Sequence, residues 1–149
     1  MTVVARVILE SPYSGIVEVN LAYGRRCISD MLRRGEAPFA SHLLYTQPGV
    51  LDDNDPEERK LGMDAGFRWI EVADYSAMYV DYGVSRGMIE GALRAQEHNK
   101  FVEVRRLDHE TQLPTALVRL SCRLLRFDDS FADMFGQGAV SMGTVPPHR

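Results

Sequence analysis

Residues 74–95, DYSAMYVDYGVSRGMIEGALRA, change their hydrophobic period halfway along, and that change restricts the fold more than any other feature of the chain. Residues 75–80 are short, apolar and aromatic, the signature of a buried strand. From Met88 to Gln96 the apolar residues Met88, Ile89, Ala92, Leu93 and Ala95 fall at helical spacing. Asp81, Gly83, Ser85, Arg86 and Gly87 lie between the two. A buried strand that hands over to a helix through such residues belongs to an open α/β sheet. There, strand carboxyl ends and helix amino ends meet around the ligand, and free backbone N–H groups with the helix dipole favour an anion.

The other segments alternate in the same way. Residues 3–9 (VVARVIL) predict a first strand, closed by the tight loop Glu10-Ser-Pro-Tyr-Ser-Gly15. Residues 17–34 predict a helix with Val19, Ala22, Tyr23, Cys27, Met31 and Leu32 near one face and Gly35 as its carboxyl-terminal cap. Residues 37–45 read as a second strand that contains Ser41 and His42. Residues 46–56 form a polar loop, long enough to be a rim or lid. Asp55-Pro56-Glu57-Glu58 opens a helix that runs to Val72, with Leu61, Ala65, Trp69 and Val72 inward. After the central strand and helix, residues 101–107 (FVEVRRL) alternate as a further strand. The order β-α-β-α-β-α-β predicts a parallel sheet covered by helices on both faces.

The domain is placed at residues 1–110, with residues 111–149 as a helical extension and tail packed on the domain or on a neighbouring subunit. Within the extension, residues 116–125 fit a helix, although 118–124 also alternate as a strand; length favours the helix. A chain of 149 residues with 45% apolar and 26% charged side chains builds one core. Its net charge of −4 argues against neutralising nucleic-acid phosphate. No run of about 18 apolar residues suggests a membrane span. Arg6 and Glu10 interrupt any signal-peptide core. Cys27 and Cys122 are isolated, which predicts no metal site and free thiols in a reducing cytoplasm.

Among the polar residues, Asp81, Ser85 and Gly87 form the strongest local signal. Ser85 with the N–H groups of Arg86 and Gly87 suits a phosphate, and Arg86 adds charge; otherwise Ser85 only caps the helix. Glu90, in the first turn, is either a nucleophile or an acid complementing the dipole, an effect of a few tenths of a kcal/mol, about 0.3. Tyr13, in the loop before Gly15, either stacks on a base or sugar or belongs to a plain turn. Asn20 caps its helix or reaches back to that loop. His42 lies on the cleft side of the predicted second strand, and Glu57, Glu58 and Arg59 read as a solvated helix start.

Three of these stretches, in this order, resemble the nucleoside 2-deoxyribosyltransferase-like superfamily, especially its small members frequent in phages and bacteria. The Pro12 to Gly15 loop followed by Asn20 is similar to the family's Pro-x-x-Gly and helix-opening Asn. Pro38 to His42 is similar to a short strand with a Pro/His segment. Asp74 to Ala92 is similar to the family's Asp, strand, Asp and Ser-x-Gly leading into a helix. The resemblance implies a flavodoxin-like or Rossmann-like three-layer α/β sandwich with a mostly parallel sheet of about five strands, assembled as a homo-oligomer. It implies cleavage or transfer at the N-glycosidic bond of a nucleoside or nucleotide, with no cofactor, by a carboxylate that attacks the anomeric carbon. Asp74 and Asp81 are then expected to flank the sugar or base, and Ser85, Arg86 and Gly87 to hold its 5′ end. Tyr13, Gly15, Asn20 and His42 are expected to line the remaining pocket.

One position departs from that pattern. The family's catalytic Glu falls at Gly91, and Glu90 is one residue early, a rotation of about 100° around the helix. Either Glu90 acts through a shifted helix, or another acid such as Glu10 or Glu58 substitutes, or the pocket binds without cleaving. The sequence thus leaves three readings: a nucleotide-processing enzyme, a non-catalytic nucleotide-binding module, and an assembly protein that uses residues 127–149 as an arm.

Overall fold

The computed structural model describes Thr2, residues 5–107 and the strand pairing of residues 119–120. Its elements run β1 (Ala5–Glu10), α1 (Val17–Arg33), β2 (Glu36–Phe39), α2 (Ser41–Leu44), α3 (Pro56–Val72), β3 (Tyr75–Tyr79), α4 (Arg86–Glu97), β4 (Val102–Arg105) and β5 (Arg119–Leu120). The sheet order is β2-β1-β3-β4-β5, and the first four strands are parallel. β5 is a two-residue antiparallel edge, with Leu120 opposite Val102. The parallel sheet is therefore four strands wide, one fewer than the resemblance implies, in the flavodoxin-like α/β arrangement. No helix among the described residues is long and apolar enough to cross a membrane.

Strand alternation sorts the core into two layers. Val7 and Leu9 of β1 and Ala77 and Tyr79 of β3 face α1, where they pack on Tyr23, Cys27 and Met31. Ile8 of β1, Met78 of β3 and Val102 of β4 face the other way, onto Ile70 of α3 and Met88, Ala92 and Ala95 of α4. Because side chains alternate with period 2, Glu10 shares the face of Ile8 and points toward α4. Helix ends follow their local chemistry. Asp55 caps α3 by accepting from the Glu57 and Glu58 N–H groups at 2.8 and 3.0 Å. Ser85 caps α4 through the Met88 N–H. Gly35, at φ +78°, follows the last residues of α1 in the left-handed conformation that glycine adopts freely.

Four expectations are corrected. Residues 37–45 are not one strand: β2 stops at Phe39, and residues 41–44 turn as α2, so His42 sits on a helical turn. Val19, Ala22 and Leu32 lie on the exposed face of α1, and the buried stripe is Asn20, Tyr23, Gly24, Cys27 and Met31. In α3, Leu61, Trp69 and Val72 are exposed, while Gly66 and Ile70 are buried. Tyr23, Cys27 and Met31 are buried as expected, but the stripes also hold Asn20, Gly24 and Gly66, small or polar residues that hydrophobicity alone does not select. At Arg119–Leu120 the backbone pairs as a strand where a helix was expected; the rest of the expected helix and the tail lie outside the described residues.

A polar network is buried between the sheet and α1. Arg105 makes two parallel bonds to Glu36, Nη1 to Oε2 at 2.8 Å and Nη2 to Oε1 at 2.7 Å, and a third to Glu103 at 2.9 Å. Tyr75 donates to Glu36 at 2.6 Å, and Tyr79 donates to Asp30 at 2.6 Å. Burial pushes the Glu36 carboxyl up, but the bonds from Arg105 and Tyr75 outweigh it and hold the group below its ordinary value. Removing one ion of such a pair strands the other, whereas replacing both does not. Glu36→Ala is expected to lose roughly 3–5 kcal/mol in denaturant unfolding, and Glu36→Leu with Arg105→Met to lose far less. Equal losses in both would mean that the pair itself is stabilising.

Candidate active site

In a sheet of order 2-1-3-4 the chain leaves β1 in one direction and β3 in the other, which opens a crevice at their carboxyl ends. A cavity of about 160 Å3 occupies that place. Its walls come from five elements: the end of β1 and its loop (Glu10, Ser11, Tyr13, Ser14), α2 (Ser41, His42), the loop before α3, one face of α3 from Glu58 to Ile70, and the amino end of α4 (Ser85, Arg86, Gly87, Met88).

Each wall has a local cause. Asn20 is buried at the start of α1 and donates through Nδ2 to the carbonyls of Tyr13 and Ser14, at 3.1 and 2.8 Å, which fixes the β1 loop. α2 is seated between two glycine backbones. A Cβ on Gly24 of α1 would lie 3.0 Å from Leu43, and one on Gly66 of α3 would lie 2.6 Å from Ser41 Oγ. Along the rim, Asp52 N–H donates to Glu58 at 2.6 Å and Arg59 pairs with Asp53 at 2.5 Å.

The acid that enters the cavity is Glu10. It closes β1 opposite Met78 and lies on the bare backbone of α4. A Cβ on Gly91 would stand 2.2 Å from Glu10 Oε1, 2.6 Å from Cδ and 2.8 Å from Oε2. No real side chain tolerates such contacts, so the carboxyl fills the volume that any other residue at position 91 would need. Among the described residues no hydrogen bond or cation reaches this carboxyl. Burial pushes its pKa up to about 8. Next to it, Ser11 Oγ lies 2.7 Å from His42 Nε2, and burial lowers the His42 pKa to about 4, so the ring is neutral at neutral pH.

Tyr13, His42, Ser85, Arg86 and Gly87 thus meet around one cavity. The other candidates lie elsewhere. Gly15, at φ +99°, ends the β1 loop beside Asn20, and Asn20 acts on the cavity through that loop. Asp74 sits before β3, at the opposite end of the strand, bound to the Arg6 backbone N–H at 2.7 Å and its guanidinium at 3.0 Å. Asp81 accepts from the Tyr23 hydroxyl and, at 2.9 and 3.0 Å, from the Leu107 N–H, which ties α1 to the ends of β3 and β4. Glu90 pairs with Arg86 at 3.0 Å on the outer side of α4. Sequence reasoning named Glu10 only as one substitute among others. Two signals pointed to it: its parity with Ile8, and a glycine inside α4, which lowers helix stability by roughly 1 kcal/mol relative to alanine and so calls for a packing reason.

The model of a family described as a domain of unknown function (DUF7768) matches residues 5–105. None of the curated proteins matches the chain. Among solved structures, the chain is similar to the 2-deoxyribosyltransferase of the psychrotolerant bacterium Bacillus psychrosaccharolyticus, with TM-score 0.55 and 17% identity over 68% of this chain and 72% of that one. It is also similar to the CMP N-glycosidase of Clostridium botulinum, with TM-score 0.44 and 14% identity over 76% of this chain and 82% of that one. The chain therefore belongs to the DUF7768 family and has a nucleoside 2-deoxyribosyltransferase-like fold.

Proposed function

We propose that the protein cleaves the N-glycosidic bond of a nucleoside or nucleotide, or transfers its sugar, with Glu10 as the attacking carboxylate. One observation carries this reading: the Glu10 carboxyl occupies the space over Gly91, the position at which the resemblance expects the acid. The acid is supplied from the end of β1 and the helix has yielded its side chain to admit it. The similarity in fold to a 2-deoxyribosyltransferase supports the reading. Ionised Glu10 attacks the anomeric carbon as the carbon–nitrogen bond breaks and the base leaves with the bonding pair and takes up a proton. Water, or a second base, then releases the sugar from the glycosyl ester. Ser85 and the N–H groups at the start of α4 suit the sugar's 5′ oxygen or a phosphate on it. Asp74, Asp81 and Glu90 take no part.

Release of free base from a panel of deoxynucleosides and their 5′-monophosphates tests this directly. Glu10→Gln is expected to lower that rate at least about a thousandfold. Gly91→Ala displaces the carboxyl and is expected to cost about 1–3 kcal/mol of stability and roughly a hundredfold in rate. Glu10→Ala combined with Gly91→Glu returns the acid to the helix and is expected to recover part of what Glu10→Ala loses. A panel with no base released, from a folded protein that binds nucleotides, replaces the enzyme with a non-catalytic binding module. The raised Glu10 pKa is the observation that favours that second reading, since the group is mostly uncharged at neutral pH.

Two pH dependences follow from the same group. A nucleophile must be ionised, so kcat/KM is expected to rise with pH and level off above about 8. Stability runs the opposite way. The folded state holds the Glu10 proton up to about 8, while the unfolded chain releases it near 4.5, so this group's stabilisation is full below 4.5 and is lost as pH rises to 8. Melting curves of Glu10→Gln across that interval are expected to be flatter than those of the parent protein on the alkaline side; parallel curves would contradict the buried carboxyl.

A further inference from the structure

Ser11 and His42 reach the cavity from the end of β1 and from α2, and nothing in the reaction above uses them. Ser11 is 4% exposed and follows Glu10 directly; His42 stands on α2. Their side chains meet at 2.7 Å through His42 Nε2. The other ring nitrogen, Nδ1, has no hydrogen-bond partner among the described residues, yet it is not one of the sealed polar atoms left without a partner. His42 lines the cavity, and an Nδ1 that is neither bonded nor sealed is the ring atom a ligand there can reach. Among the described residues, no acidic or basic side chain is bonded to the ring.

A neutral imidazole carries one N–H and one lone pair, and a hydroxyl either gives or accepts a hydrogen bond. When Ser11 Oγ donates to Nε2, the ring proton is on Nδ1 and the cavity meets a donor. When Nε2 donates to Ser11, Nδ1 offers a lone pair. The exchange requires a hydroxyl rotation and a change of tautomer, and no charge develops in either state. A fixed donor, by contrast, accepts a keto group and rejects an amino group at the same ring position, because the mismatch leaves buried polar groups unpaired.

We propose that Ser11 and His42 form a base-reading pair whose adjustable tautomer lets the site accept amino and keto nucleobases alike. The ligand class is a nucleoside or nucleotide with an amino- or keto-substituted heteroaromatic ring, and the inference rests on the nucleoside reading of the site. The parent protein and Glu10→Gln, which holds its ligand without turnover, are titrated calorimetrically with 2′-deoxycytidine and 2′-deoxyuridine, an amino/keto pair of nearly one shape. Both ligands are expected to bind within about threefold of each other. His42→Phe keeps the ring but lacks both nitrogens and is expected to weaken both about tenfold. Ser11→Ala leaves Nε2 buried as a bare lone pair, which is tolerated better than an orphan N–H, so the proton stays on Nδ1. That variant is expected to favour deoxyuridine by about tenfold, with its fold checked by melting temperature. Unchanged affinities in His42→Phe, or an unchanged ratio in Ser11→Ala, overturn the pair's role while leaving the nucleoside reading intact. A hundredfold preference in the parent protein overturns the tautomer argument. If neither ligand binds the parent protein, the nucleoside reading falls and takes this inference with it.

Discussion

A carboxyl group pressed onto the bare backbone of a helix is the contact on which the site depends. Glu10 has room only because α4 carries no side chain at Gly91, and α4 lies close to β1 only because nothing larger than that carboxyl separates them. The contact joins two strongly constrained elements. β1 is hydrogen-bonded on both sides, to β2 and β3, and α4 is held to the sheet by Met88, Ala92 and Ala95. Glu10, the last residue of β1, is held in register opposite Met78 of β3. Supplying the acid from β1 therefore fixes its place firmly, while the same burial weakens its acidity.

The polar groups divide by the face of the sheet they occupy. On the α1 side, Arg105, Glu36, Tyr75, Tyr79 and Asp30 bond to one another in a network that leaves only Arg105 Nε among their sealed side-chain atoms without a partner, and Asp81 binds Tyr23 and Leu107. These groups have partners and hold the frame. On the α3 and α4 side, among the described residues, the Glu10 carboxyl has no hydrogen-bond partner and the His42 ring has only Ser11. Desolvation without compensation raises the acid's pKa and lowers the histidine's. Uncompensated burial of this kind is maintained where a ligand supplies the missing interactions, which is why perturbed groups collect in clefts.

Much of the architecture was legible from period alone. The strand-to-helix change across residues 74–95 is β3 and α4, and Asp55-Pro56-Glu57-Glu58 opens α3 as its capping chemistry requires. What failed did so for identifiable reasons. Residues 41–44 carry no turn residue that would separate them from β2, so the one-turn helix was hidden in an apolar run. The inner stripes of α1 and α3 hold Asn20, Gly24, Gly62 and Gly66, residues that periodicity counts as outward, although Gly66 and Gly24 are where neighbouring chain comes closest. Of the site, the loop with Tyr13 and the Ser85–Gly87 turn were visible because their residue types are distinctive. Asp74 and Asp81 drew attention for the same reason, but their partners, Arg6 and Leu107, are distant in sequence. The relation of Glu10 to Gly91 spans eighty-one positions, and only the register of β1 against β3 brings them together.

The seat of α2 carries a separate implication. Leu43 rests against Gly24 and Ser41 against Gly66, so the single turn bearing His42 is gripped from two helices at once. A residue on so short a segment would ordinarily wander; here its height above the sheet is set by how thin the backbone is at Gly24 and Gly66. Adding one methyl at either glycine presses on α2, and at Gly66 it alters the cavity wall as well. Gly24 thus controls the position of His42 from outside the cavity, whereas Gly66 controls it from the cavity wall.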